Sequence, residues 1–397
     1  MYIKNFNQFI LENKIDSEIP LPDDIIRISD AFINAGKDIF LVGGAVRDFI
    51  QGKMPKDYDL VTNALPHESK SILKDFKVSD EQGKNFGVLR VYTEAEPEGY
   101  EIATYRKDIA GGRDTKGDDQ KVEMGSNVTI QDDCMRRDLT MNALFYDIKN
   151  KKIVDLVGGV DDIKKGIVRA VGDASQRFKE DRLRICRILR FAARANGQID
   201  TKTADAIRKD NRLRGLGPKD DVSQERIWDE FKKAFSQSKN FVTYLKLIEE
   251  FDMWQEMFPD SIINNEFIQS TDLSVILANL FLEEDNKKLE KKMVFDWRIE
   301  TDLAKVVVFL IDLFNLRPES ASDLAKARQR NRVSDKTILE WMRVKNLNSN
   351  LFKTFFNFKP NVSSEELMRL GFKGKQLGDE IKKRELEQFQ KELNRGL

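Results

Sequence analysis

The hydrophobic pattern of this chain changes period once, and that change limits what it can fold into. Up to about residue 150, short apolar runs bounded by turn residues read as strands: "DIFLV", "DYDLVT", "FGVLRVYT" and "YEIATY". A helix is expected from about Asp23 to Ala35, and a short one closed by Gly52. From about Asp173 onward the strand signal disappears. Apolar residues then recur at helical spacing through "RFKEDRLRICRILRFAARA", "RIWDEFKKAF" and "FVTYLKLIEEF". The expected fold class is α+β, with a mixed β-sheet and helices first and an all-helical remainder. The 397 residues suffice for two or three domains at roughly 150 residues each. Residues 1–20, which run into the proline-bearing "IPLPDD", are expected to be an N-terminal appendage.

Charge and rare residues exclude several chemistries. Lys+Arg and Asp+Glu balance at 67 each, so nucleic-acid contact must come from local patches and not from a global basic field. The single histidine, His67, speaks against histidine-cluster metal sites and serine–histidine catalysis. Cys134 and Cys186 lie far apart among polar and basic neighbours, which suits reduced thiols in a cytosol-like compartment. No run approaches membrane-spanning length and the first residues lack a signal-peptide core, so a cytoplasmic protein without membrane contact is expected.

The chemistry concentrates in "LVGGAVRDFIQGKMPKDYDLVT", Leu41 to Thr62. Asp57 and Asp59, two apart on an expected strand, would point to one face and could share a Mg²⁺ ion, a hard cation that keeps waters and completes its shell with substrate phosphates. The same pair would also serve as ordinary surface charge. Gly43 and Gly44 tip the balance: without Cβ atoms the backbone can approach a polyphosphate, and the N–H groups opening the next helix favour anions. Arg47, one turn on, could fork onto the same phosphates. Together these place a triphosphate cradle against a metal site, as phosphoryl transfer requires. Glu101 in "YEIATYR" is a candidate third catalytic carboxylate, or else an edge-strand glutamate.

This stretch resembles the signature of the nucleotidyltransferases that include CCA-adding tRNA nucleotidyltransferases and bacterial poly(A) polymerases. "RRDLTMNAL", "DLVGGVDDIKKGIVRA", "EDRLRICRILRFAAR" and "VSQERIWDEF" are similar to the family's next four motifs, in order, and "LGFKGKQLGDEI" to a tail motif. The resemblance implies a polymerase-like palm as head (21–150), a neck that recognises the base (151–235), and a helical body and tail that bind RNA (236–397). It implies Asp57 and Asp59 as metal ligands, Gly44 and Arg47 on the triphosphate, and Arg137 on the nucleotide. Asp155 with the Gly158-Gly159 turn would couple head and neck.

Base choice has its own candidates. Asp181 and Arg184, three apart on an expected helix, offer an acceptor beside a donor. Cytosine and adenine fit that order; uracil and guanine oppose it. Arg187 and Arg190 continue the stripe, which is also what a solvated basic helix face would show; the resemblance places all four residues at the nucleotide. Arg182 departs from the proline or small residue common in the family. Arg106 to Lys121 reads as a long loop where relatives carry an element that reshapes the pocket for A, although "GGRDTKG" lacks their histidine–proline. The cations between Lys326 and Lys345 could grip an RNA stem or form an ordinary helical surface, and the phenylalanines of "LFKTFFNF" are expected in the core. The function implied is Mg²⁺-dependent addition of C and A from CTP and ATP to the tRNA 3′ end, with no obligate protein partner evident. A poly(A) polymerase and a non-catalytic RNA-binding relative remain the alternatives.

Overall fold

The computed structural model describes residues 14–16, 18–79, 87–113, 120–125, 127–214, 222–347 and 350–395. The chain divides into two compact units, one reaching Ser223 and including Gln237–Lys239, the other formed by Gln224–Ser236 and Asn240–Leu397.

The first unit is built on an eight-stranded mixed sheet in the order β1-β10-β9-β2-β3-β6-β5-β4. Its strands are β1 (Lys14–Asp16), β2 (Ile39–Val42), β3 (Asp59–Thr62), β4 (Lys77–Ser79), β5 (Val88–Tyr92), β6 (Tyr100–Thr104), β9 (Leu144–Asp147) and β10 (Lys152–Asp155). Only β3 and β6 run parallel; the other neighbours are antiparallel. Both faces are covered, which is why the central strands read as continuous apolar runs and not as alternation. Leu41, Leu60, Ile102, Leu144 and Tyr146 pack on one face with Ile25, Ile28 and Phe32 of helix α1 (Asp23–Asn34). Val42, Val61, Phe145 and Val154 occupy the other with Val128, Ile130 and Cys134. Helix α2 (Gly44–Ile50) follows β2 directly, and α3 (Pro66–Ile72) follows β3.

The stretch read as a long loop is instead largely an antiparallel hairpin, β7 (Lys107–Arg113) with β8 (Gln120–Glu123), in which Lys107 pairs with Glu123. Its connecting residues 114–119 lie outside the described residues. Two adjacent glycines and polar side chains hid it, since backbone pairing between polar strands leaves no hydrophobic pattern to read.

Beyond the hairpin come α4 (Ile130–Met135), a 3₁₀ turn at Thr140–Asn142, α5 (Gly159–Lys165), the short parallel pair β11 (Ile167–Val168) and β12 (Gln198–Ile199), α6 (Ala174–Glu180), α7 (Leu183–Ala195) and α8 (Thr201–Lys209). Asp155 shapes the turn into α5. One of its carboxylate oxygens accepts the N–H groups of Val157, Gly158 and Gly159 at 3.1, 2.8 and 3.0 Å, and the other accepts that of Val160 at 2.9 Å. Gly158 sits at φ 80°, the left-handed region where a side chain is strained.

Among the described residues of the second unit, every regular element is a helix. Its core is a run of rings: Trp228 stacks on Phe231 at 5.5 Å, Phe231 meets Phe258 at 5.3 Å, and Phe258 leads to Phe281 and Trp297. Phe352, Phe355 and Phe358 are buried, as expected of "LFKTFFNF". The basic stretch divides in two. Lys326 pairs with the buried Glu385, Arg328 with Asp335, and Lys345 donates to Asn279; Arg330, Arg332, Lys336 and Arg343 are exposed. Among the described residues no helix is long and apolar enough to cross a membrane.

Candidate active site

Sheet register answers why a glycine turn and two aspartates lie close in sequence. β2 and β3 are antiparallel with Val42 opposite Asp59, so the end of one strand meets the start of the other. The Gly43-Gly44 turn therefore opens beside Asp59. Gly43 adopts φ 66°, ψ −120°, and its N–H donates to the Leu144 carbonyl of β9 at 3.2 Å. Leu60 pairs with Ile102 in the parallel β3·β6 ladder, and one step back along both strands stands Asp59 beside Glu101. Both side chains share the sheet face of Val61 and Phe145.

Asp57 does not lie on the strand. β3 begins at Asp59, and Asp57 belongs to the irregular segment after Pro55, whose ring cannot donate to a ladder. It still comes close enough for its charge to be felt. Asp59 is exposed, yet partial desolvation by the surrounding protein, followed by the negative charges of Glu101 and Asp57, raises its pKa above the ordinary carboxylate value. Arg137 and Arg90 oppose the rise. Glu101 is itself ion-paired with Arg90 across β5·β6.

Arg137 projects from the segment after α4. Its guanidinium lies 5.0 Å over the Phe145 ring and 3.7 Å from where a Cβ on Gly43 would stand. Buried Asp133 fixes it, accepting from Nε at 3.2 Å and Nη2 at 2.9 Å while also holding Arg136. Burial alone would raise the Asp133 pKa; Arg137 and Arg136 outweigh it and hold the carboxyl below its usual value.

Arg47 is buried, and its polar atoms are committed inside the protein. Nε and Nη2 donate to Asp48 Oδ1 at 2.9 and 2.8 Å, and Nη1 donates to Asn142 Oδ1 at 2.5 Å. Burial lowers its pKa, with Asp48 opposing. The guanidinium braces α2 against the 3₁₀ turn.

Asp181 and Arg184 do not share a helix. α6 ends at Glu180 and α7 starts at Leu183, with Asp181 in the break, where its Oδ1 accepts the Leu183 N–H at 3.1 Å and opens α7. Buried Arg182 fills the break by donating to the Arg212 carbonyl and Asp210. Arg184 donates to Glu180 Oε2 at 2.7 Å and to the Arg136 carbonyl at 2.9 Å. Arg187 pairs with the largely buried Asp138 at 2.6 Å, and Arg190 donates to Gln237 at 2.9 Å. Arg184 and Arg187 thus fasten α7 to the "RRD" segment, while Arg190 reaches Gln237. Asp48, Arg90, Asp133, Asp138 and Asn142 escaped the sequence reading, although Asp133 and Arg137 stand at the i,i+4 spacing that would have marked them.

Among the described residues no cluster of three or more His, Cys, Asp or Glu is arranged as a metal cage. Two exposed carboxylates beside a glycine turn suit a Mg²⁺ that keeps waters and takes substrate phosphates.

The Poly A polymerase head domain family matches residues 39–169. The CCA-adding enzyme of Lactococcus lactis is 30% identical over 75% of this chain and 74% of its own length. The chain belongs to the CCA-adding enzyme and poly(A) polymerase family. Poly(A) polymerase I of Salmonella typhi is 31% identical over 67% of this chain, and the match spans 56% of that enzyme, little more than half its length. The fold is shared with the Bacillus stearothermophilus CCA-adding enzyme solved in complex with CTP, at a TM-score of 0.64 and 21% identity over 93% of this chain and 92% of that one.

Proposed function

We propose that this member of the family is a Mg²⁺-dependent, template-independent nucleotidyltransferase of the cytoplasm that adds C and A from CTP and ATP to the 3′ end of tRNA. The observation that carries the reading is the Val42–Asp59 pairing, which sets the glycine turn beside the acidic residues, with Arg137 close to Gly43. Asp57 and Asp59 would hold the metal, whose positive charge, when bound, stabilises the α-phosphate and the leaving pyrophosphate. The backbone N–H groups after Gly43 would take triphosphate oxygens, and Arg137, oriented by Asp133, would lie along the nucleotide. The terminal ribose hydroxyl would attack the α-phosphate, and the aspartates would draw off its proton. Asp181 and Arg184 would read the base edge, Arg184 exchanging its bond to Glu180 or to the Arg136 carbonyl for the base. The free, buried cysteines suit a reducing compartment.

A poly(A) polymerase is the second reading, favoured by the 31% identity to the Salmonella typhi enzyme. Incubating the protein with tRNA lacking its last three nucleotides, one labelled NTP at a time, separates the two. CCA addition predicts CTP incorporation first, ATP incorporation only after two C residues, and little from UTP or GTP. Extension of unrelated RNA by ATP alone would replace the first reading with the second.

A further inference from the structure

Asn142 closes the 3₁₀ turn and is 8% exposed. Its side chain stands between a guanidinium and a carboxylate. Oδ1 accepts from Arg47 Nη1 at 2.5 Å, while Nδ2 donates to Asp138 Oδ1 at 3.3 Å. The other oxygen of Asp138 accepts from Arg187 Nε at 2.7 Å. The backbone carbonyl of Asn142 also accepts from Arg137 Nη1 at 3.4 Å. A continuous polar chain therefore runs from α2, beside the glycine turn, through Asn142 and Asp138 to α7.

Only a side chain that accepts at one atom and donates at the next can serve a guanidinium and a carboxylate together, and an amide does this with fixed geometry. A carboxylate at 142 would satisfy Arg47 but set like charge against the largely buried Asp138. An aliphatic group of the same size would leave both partners unpaired in a buried place. We propose that Asn142 is a positioning residue for nucleotidyl transfer, fixing the spacing between Arg47 at the triphosphate side and Arg187 at the base-reading helix. The proposal rests on the functional reading above. Neither arginine need leave its internal partner, because what Asn142 sets is the distance between the two elements that must hold opposite ends of one nucleotide.

The test compares Asn142→Asp, Asn142→Leu and the double variant Asn142→Asp/Asp138→Asn, using CTP and ATP titrations alongside the extension assay. Each single variant should raise the nucleotide Kd and KM about tenfold, the scale of one buried hydrogen bond, with kcat changed far less. The double variant exchanges amide and carboxylate: the new amide at 138 can donate to the carboxylate at 142 and accept from Arg187, but its nitrogen then meets the Leu139 N–H that Asp138 Oδ1 accepts at 2.8 Å. It should recover part of the lost affinity. Wild-type Kd in Asn142→Asp, or a double variant no better than it, overturns the proposal. A lowered Tm in all variants with unchanged Kd also overturns it, since that reduces Asn142 to a structural role. Should the unmutated protein extend no RNA, the functional reading fails, and the Kd comparison still decides the role of Asn142.

Discussion

Asp59→Asn is expected to lower nucleotide incorporation about a thousandfold without unfolding the protein. A metal-bound charge centre supplies several kcal/mol of transition-state stabilisation, and about 4 kcal/mol corresponds to three powers of ten in rate. The substitution keeps size and shape and removes the charge. Stability should move the other way. Desolvation first, then the charges of Glu101 and Asp57, raise the folded-state pKa of Asp59, so its charged form is less favourable in the folded chain than in the unfolded one. Neutralising it removes that cost at pH 7, and the benefit fades as pH falls through the carboxylate range, where wild-type Asp59 is itself protonated. In metal-free buffer the variant should melt no lower than wild type. Single-nucleotide kinetics with a parallel melt check both halves; a tenfold or smaller loss of rate would remove Asp59 from the reaction.

Gly159→Ala is the second large effect, and it falls on the fold. A Cβ at 159 would stand 2.2 Å from the Thr140 carbonyl oxygen and 2.7 Å from its carbon, backbone atoms that cannot swing aside. Thr140 is anchored in turn: its N–H donates to the Arg169 carbonyl and its hydroxyl to buried Asp162 at 2.6 Å. Overpacking against fixed atoms costs typically 1–3 kcal/mol, and a backbone clash of this depth belongs at about 3 kcal/mol. For a unit of this size that lowers Tm by roughly 6–12 °C. The displaced turn also carries Asn142, so nucleotide affinity should fall with stability. Differential scanning calorimetry would register the shift, and a Tm within one degree of wild type would mean that the Gly159–Thr140 approach is not rigid.

Much of this architecture was legible because its signals are local. The glycine turn, the strand at Asp59 and the helix over Asp23–Asn34 each declare themselves within a dozen residues. What escaped depends on distant partners. Nothing near Arg47 says that Asn142 will claim its guanidinium, and nothing near Arg187 announces Asp138. Both pairings form only when the 3₁₀ turn is brought between α2 and α7. The break at Asp181–Arg182 was hidden for a different reason: hydrophobic spacing runs through it almost in phase, and Arg182 is held by Asp210 and Arg212, far along the chain. Asp57 fell off the strand because the residues after Pro55 were read by their alternation alone.

Asp57 and Asp59 are expected to bind a divalent ion where the glycine turn receives the triphosphate. Crystals grown with CTP and Mn²⁺ in place of Mg²⁺ test it most directly, through an anomalous difference map. The account predicts a peak within coordination distance of both carboxylates and of a phosphate oxygen held beside Gly43-Gly44. A nucleotide bound with its phosphates elsewhere, or an ion that touches neither aspartate, would contradict it.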